Sequence, residues 1–109
     1  MLASARRCLD LTAGIAREAF LADPLRQDVV LYRLSVIGEA ARYVTDPTRT
    51  ATPEVPWPKI KRMRNVLLHD YWNVNTEIVW DTVSVHLPTF VGAVERVLAS
   101  GTPVAPPEP

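Results

Sequence analysis

Apolar residues recur at helical spacing along most of the chain. Leu25, Val29, Val30, Leu34, Ile37, Ala41 and Val44 follow one another at steps of three, four and seven. That pattern predicts one amphipathic helix of about six turns. Asp23 is placed to cap its start, Pro24 fits its first turn, and Thr45-Asp46-Pro47 is expected to end it. Residues 45–57 read as a polar, Pro/Thr-rich loop. The next helix is expected from about Pro58 to Leu68 or a little beyond, burying Ile60, Met63 and Leu67, with Val66 also turned to the core. Another begins near Asn75 and carries Ile78, Val83 and Trp80, and Pro88 kinks or restarts it. Phe90, Val91, Val94, Val97 and Leu98 complete the apolar face, and Gly101 marks the stop. At the N-terminus, residues 2–13 predict a short helix with Leu2, Ala5, Leu9 and Thr12 on one side and Gly14 at its end. Ala16 to Leu21 add a turn or two anchored by Phe20. No sustained period-two alternation and no hairpin dipeptide occur, so no sheet is expected. The fold class is all-α, a bundle of four or five helices over residues 1–100, followed by a disordered Pro-rich tail at 101–109.

Composition narrows the classes. A length of 109 residues is one domain. Twelve basic residues balance twelve acidic ones, so a generally basic nucleic-acid binder is not expected. Ten of the twelve are arginine, leaving only Lys59 and Lys61. The single cysteine, Cys8, allows neither an internal disulfide nor a cysteine-rich metal site, and it reads as a small core residue. No apolar run has membrane-spanning length, and Met1–Arg7 lacks a signal-peptide layout, so a cytoplasmic protein is expected.

One stretch carries candidate chemistry: Arg64-Asn65-Val66-Leu67-Leu68-His69-Asp70-Tyr71. At about 100° per residue, Arg64 and Tyr71 would point the same way two turns apart. Asn65 and His69 form a same-face pair at a spacing of four. Arg64 and His69, however, stand about 140° apart on a continuous helix. They converge only if the helix ends near Leu68 or if a second copy of the chain supplies one of them. The residue types suit phosphodiester chemistry. A neutral histidine can take a proton from a ribose 2′-OH, and an arginine can hold the phosphate and its developing charge. Asn65 could fix the imidazole tautomer, and Tyr71 could bond a phosphate or stack on a base. No metal or other cofactor is needed, and the carboxylates are too scattered for a good cage. Glu39 either faces solvent or pairs with an arginine near the motif. His86, just before Pro88, reads as a C-terminal-turn or surface residue.

The chain resembles the HepT-like family of HEPN-domain ribonuclease toxins. The matching pieces run in order through residues 9–99: Phe20-Leu21-Ala22-Asp23, Gln27-Asp28-Val29-Val30, Leu34 to Ala41 with Ile37-Gly38-Glu39-Ala40, and Pro53-Glu54-Val55-Pro56-Trp57 with Ile60. Met63-Arg64-Asn65 and His69-Asp70-Tyr71 then complete an Arg-x4-His-x-Tyr motif, and Val79 to Val83 with Leu87-Pro88 close the series. The resemblance implies a homodimeric HEPN-type bundle whose motif helices meet around a shared cleft. It implies metal-independent cleavage of RNA, with transfer RNA among the targets, and places Arg64 and His69 as catalytic residues with Asn65 and Tyr71 in support. It also implies a toxin–antitoxin pair in which an MntA-like nucleotidyltransferase neutralises the toxin by AMPylation of Tyr71. Against the family pattern the chain is expected to lack about ten residues of the first helix, through a miscalled start or a truly short helix. The competing expectation is a non-catalytic helical module that holds a nucleotide or a nucleotidyltransferase partner.

Overall fold

The computed structural model describes residues 1–101, and every described element is helical. The part of the expected tail beyond Gly101 lies outside the described residues. Helix α1 spans Leu2–Thr12, α2 Arg17–Leu21, α3 Pro24–Ala41, α4 Asp46–Ala51 and α5 Trp57–His69. A 3-10 turn, Tyr71–Asn73, leads to α6 (Thr76–Asp81), a π-helical segment (Thr82–His86) and α7 (Leu87–Ala99). The last three run on as one rod, so four long helical rods and two short helices make an all-α bundle.

The boundaries follow from the chain's punctuation. Asp23 Oδ1 accepts from Arg26 N at 3.1 Å, and Pro24 occupies the first turn of α3. Asn75 Oδ1 accepts from Glu77 N and Ile78 N at 2.9 and 3.2 Å and opens α6. Gly14 and Gly101 take φ of +74° and +78°, the left-handed region that ends α1 and α7 cheaply for a residue without Cβ. Pro88 stands in the first turn of α7, the restart expected of it. It has no N–H for the Ser84 carbonyl and its ring crowds that oxygen, and the helix relaxes into the π segment just before it.

Residues 45–57 are not an open loop. Thr45 caps α4, whose first turn holds Pro47. Thr48 and Thr52 are buried because their hydroxyls find partners: Thr52 Oγ1 donates to the Thr48 carbonyl at 2.7 Å and accepts the Trp57 indole N–H at 3.1 Å. Trp57 in turn packs edge-on against Phe90, with ring centres 5.9 Å apart. This corner ties the start of α5 to α7.

The core is built on α3, which packs against α5 on one side and α1 on the other. Val30, Leu34, Ile37, Phe20 and Val83 are almost wholly buried. Cys8 sits among them, its thiol pushed up to about 11 by burial, as suits a packing residue rather than a nucleophile. Two residues assigned to the inward stripe of α3 are turned out instead: Leu25 is 77% exposed and Val29 37%. They lie on the far side of the helix from Leu34, about 180° and 140° round. With Tyr32 (61% exposed) they form a second apolar stripe facing solvent, and Tyr43 (60%) is exposed in the turn that follows the helix. Val66 and Ile78, also expected inside, are exposed as well.

Candidate functional site

Helix α5 carries the motif. Trp57 and Leu67 are its buried anchors, with Ile60 and Met63 half-buried on the same side. Its contact with α3 depends on Gly38. A Cβ at Gly38 would stand 2.7 Å from the Arg64 Cβ, closer than carbon atoms tolerate. The glycine lets the two helices approach at the residue that carries the guanidinium.

Arg64 is thereby held against α3. Its Nε donates to Glu39 Oε2 at 2.6 Å and its Nη1 to Asn65 Oδ1 at 3.2 Å, and its side chain is only 18% exposed. Glu39 also accepts from Arg42 Nη1 at 2.8 Å. The hydrogen bond from Arg64, reinforced by Arg42, keeps the Glu39 carboxyl below the ordinary carboxylate value. Of the two readings left open for Glu39, it pairs with the motif arginine. A guanidinium has five N–H donors, so with two engaged three remain for an anion.

His69 is the last residue of α5 and is exposed. Because the helix runs through it, the route in which an early helix end brings Arg64 and His69 together is not taken within one chain. Asn65 lies on the His69 face, yet its carbonyl oxygen is engaged by Arg64 rather than by the imidazole. Tyr71 departs further from expectation. The helix stops at His69, so Tyr71 does not continue the Arg64 face. From the 3-10 turn its hydroxyl donates to Asp28 Oδ1 at 3.2 Å. Partial burial, then the charge and hydrogen bond of Asp28, push the phenol above its ordinary value. Asp28 and Glu39 are eleven residues apart on α3, so the two anchor points are separated by about 16 Å along its axis.

Gly38, Asp28 and Arg42 are thus site-building residues to which sequence reasoning gave no role. A glycine inside an apolar helical run was the available signal for the first. Asp28 stands in the matching piece Gln27-Asp28-Val29-Val30 and Arg42 is three residues from Glu39, but neither signal names the partner across the fold.

A cavity of about 480 Å³ opens on another side of α5, lined mainly by apolar residues of α3, α5, α6 and α7, with Lys59 and His86 in its wall. Arg64, Asn65, His69 and Tyr71 do not line it. His86 is exposed, as expected. Among the described residues no group of three or more His, Cys, Asp or Glu is placed to hold a metal ion, and no helix is long and apolar enough to cross a membrane.

Comparison with known proteins gives a consistent result. The family model described as "Ribonuclease HepT-like" matches residues 1–97. A Thermococcus cleftensis protein named "Probable ribonuclease HepT" is 34% identical over 88 residues, covering 81% of this chain and 80% of that protein. A Methanocaldococcus jannaschii protein named "Putative RNase MJ0127" is 32% identical over 98 residues, covering 90% and 81%. No solved structure gives a significant match.

Proposed function

The chain belongs to the HepT-like ribonuclease family and is an RNA-cleaving enzyme, and from that premise we propose that it is the metal-independent endoribonuclease toxin of a HepT/MntA-type toxin–antitoxin pair. Its substrate in this reading is transfer RNA, cut in a cleft between two copies of the chain. His69 takes the proton of a ribose 2′-OH, whose oxygen attacks the adjacent phosphorus as the bond to the 5′-oxygen breaks. The departing 5′-oxygen takes up a proton from solvent, to which His69 returns its own, so the products are a cyclic phosphate and a 5′-hydroxyl and no water is consumed in the first step. Arg64 stabilises the charge that develops on the phosphate, with the donors that Glu39 and Asn65 leave free. Asn65 fixes one branch of its fork.

The observation that carries this reading is the continuity of α5 through His69. With the motif arginine packed on α3 and the histidine in solvent about 140° away, a site using both is composed from two chains. The exposed stripe Leu25, Val29 and Tyr32 supports the same arrangement. A helix apolar on two sides has a second face to cover, and a self-complementary face suits a twofold dimer.

Tyr71, supporting RNA binding, is also the residue that the antitoxin AMPylates. The added phosphate would stand beside Asp28, and the anionic nucleotide would repel RNA. The test is cleavage of a transfer RNA pool in the presence of EDTA. Cleavage that persists in the wild type and is lost in Arg64→Ala and in His69→Ala, but returns when the two inactive variants are mixed, is the expected result. Mixing restores one composite site from two wild-type residues. Cleavage by His69→Ala at the wild-type rate refutes the assignment.

A further inference from the structure

The face of α5 that carries His69 also carries an arginine other than the one in the motif. Arg62, Asn65 and His69 stand at i, i+3 and i+7. On a regular helix Arg62 and His69 differ by only about 20° and are about 10 Å apart along the axis, whereas Arg64 is about 140° from His69. Arg62 is exposed and makes no hydrogen bond or ion pair among the described residues. Arg64 is largely covered and tied to Glu39 and Asn65.

Charge distribution sharpens the contrast. The chain is neutral overall, yet α5 contains Lys59, Lys61, Arg62 and Arg64 and no acidic residue. Arg6, Arg17, Arg26, Arg42, Arg64 and Arg96 each meet a carboxylate, while among the described residues Arg62 meets none. A free guanidinium fork can take a phosphate bidentately without first giving up an internal partner.

We propose that Arg62 is a substrate-binding residue that holds an RNA phosphate next to the one being cleaved at His69. This rests on the reading of His69 as a catalytic group. The contact is made equally in the ground state and the transition state, so it governs how tightly RNA is held rather than how fast the held bond breaks.

The test uses the full chain carrying His69→Ala as a non-cleaving binder, a transfer RNA pool as probe, and a salt series. Adding Arg62→Gln should weaken binding roughly three- to tenfold and make the plot of log affinity against log salt shallower by about 0.7. Lys59→Gln removes the same charge from the cavity side of α5 and should leave that slope unchanged. In the cleaving protein Arg62→Gln should raise KM with kcat altered less than about twofold, and Arg62→Lys should recover part of the loss. An unchanged slope, an equal effect from Lys59→Gln, or a fall in kcat without a rise in KM overturns the proposal. Wild-type cleavage by the His69→Ala protein would instead overturn the catalytic assignment, whereas an unchanged slope in a His69→Ala protein that does not cleave overturns the Arg62 contact alone.

Discussion

Replacing Gly38 by alanine tests how the motif arginine is positioned. The new methyl would stand 2.7 Å from the Arg64 Cβ and 3.4 Å from its Cα and Cγ. Carbon atoms prefer about 3.5–4.0 Å, so α3 and α5 must part by roughly 1 Å at this point. The obstacle is the stem of a helical residue, which cannot swing away as a side-chain tip would. Overpacking of this kind costs about 1–3 kcal/mol, while alanine in place of glycine inside a helix returns about 1 kcal/mol. The net expectation is a loss of about 0–2 kcal/mol, or a Tm lowered by up to roughly 10–15 °C for a domain this size. Catalysis should suffer more than stability. A shift of about 1 Å in a transition-state contact can cost on the order of 100-fold in rate. Gly92→Ala is the internal control, because a Cβ there meets nothing within 4 Å in α7. It should raise Tm slightly and leave cleavage untouched. Thermal melts and RNA-cleavage rates on the two variants decide the matter. A Gly38→Ala protein as stable and as active as Gly92→Ala would refute the close-approach reasoning.

Other outcomes follow from the same contacts. Arg64→Lys keeps the charge but loses the fork that spans Glu39 and a phosphate, so RNA cleavage should fall on the order of 100-fold. The Glu39 carboxyl is held below its ordinary value of 4.5, so its stabilising contribution is complete above that value and is lost as pH falls through the depressed one. Tm measured across pH 3–6 should therefore drop less steeply on the acid side in Glu39→Gln than in the wild type. Thr52→Val leaves the buried Trp57 N–H without its acceptor and should cost about 1–3 kcal/mol in urea unfolding, with no change in m. Tyr71→Phe removes only a hydrogen bond to Asp28 from a residue 46% exposed, so stability should change by less than about 1 kcal/mol. The same variant should show no added AMP mass after co-expression with the nucleotidyltransferase.

The helices were legible because their signals are local. Asp23-Pro24, Asn75, Gly14 and Gly101 set ends through cap hydrogen bonds and backbone angles that depend on a few neighbouring residues. The Thr-rich segment around α4 was misread for a related reason. Its hydroxyls look polar in sequence, but a helix carbonyl and the Trp57 indole satisfy them in the fold, and that indole arrives only when α5 packs. Spacing alone puts Leu25 and Val29 inward, because it cannot divide two apolar stripes on one helix, a pattern that the neighbouring elements resolve.

The candidate site divides along the same line. By itself the sequence placed Arg64 and Asn65 on one helix and His69 at its end, with the arginine and the histidine facing different ways only if the helix ran on, since rise and rotation per residue are properties of the α-helix. Tertiary structure decided their circumstances. It closed α3 onto α5 through Gly38, tied Arg64 to Glu39 across twenty-five residues, sent Tyr71 to Asp28 across forty-three, and left Arg62 without a partner among the described residues. Those pairings depend on which helix packs where and at what distance, and residue spacing along one helix does not contain that information.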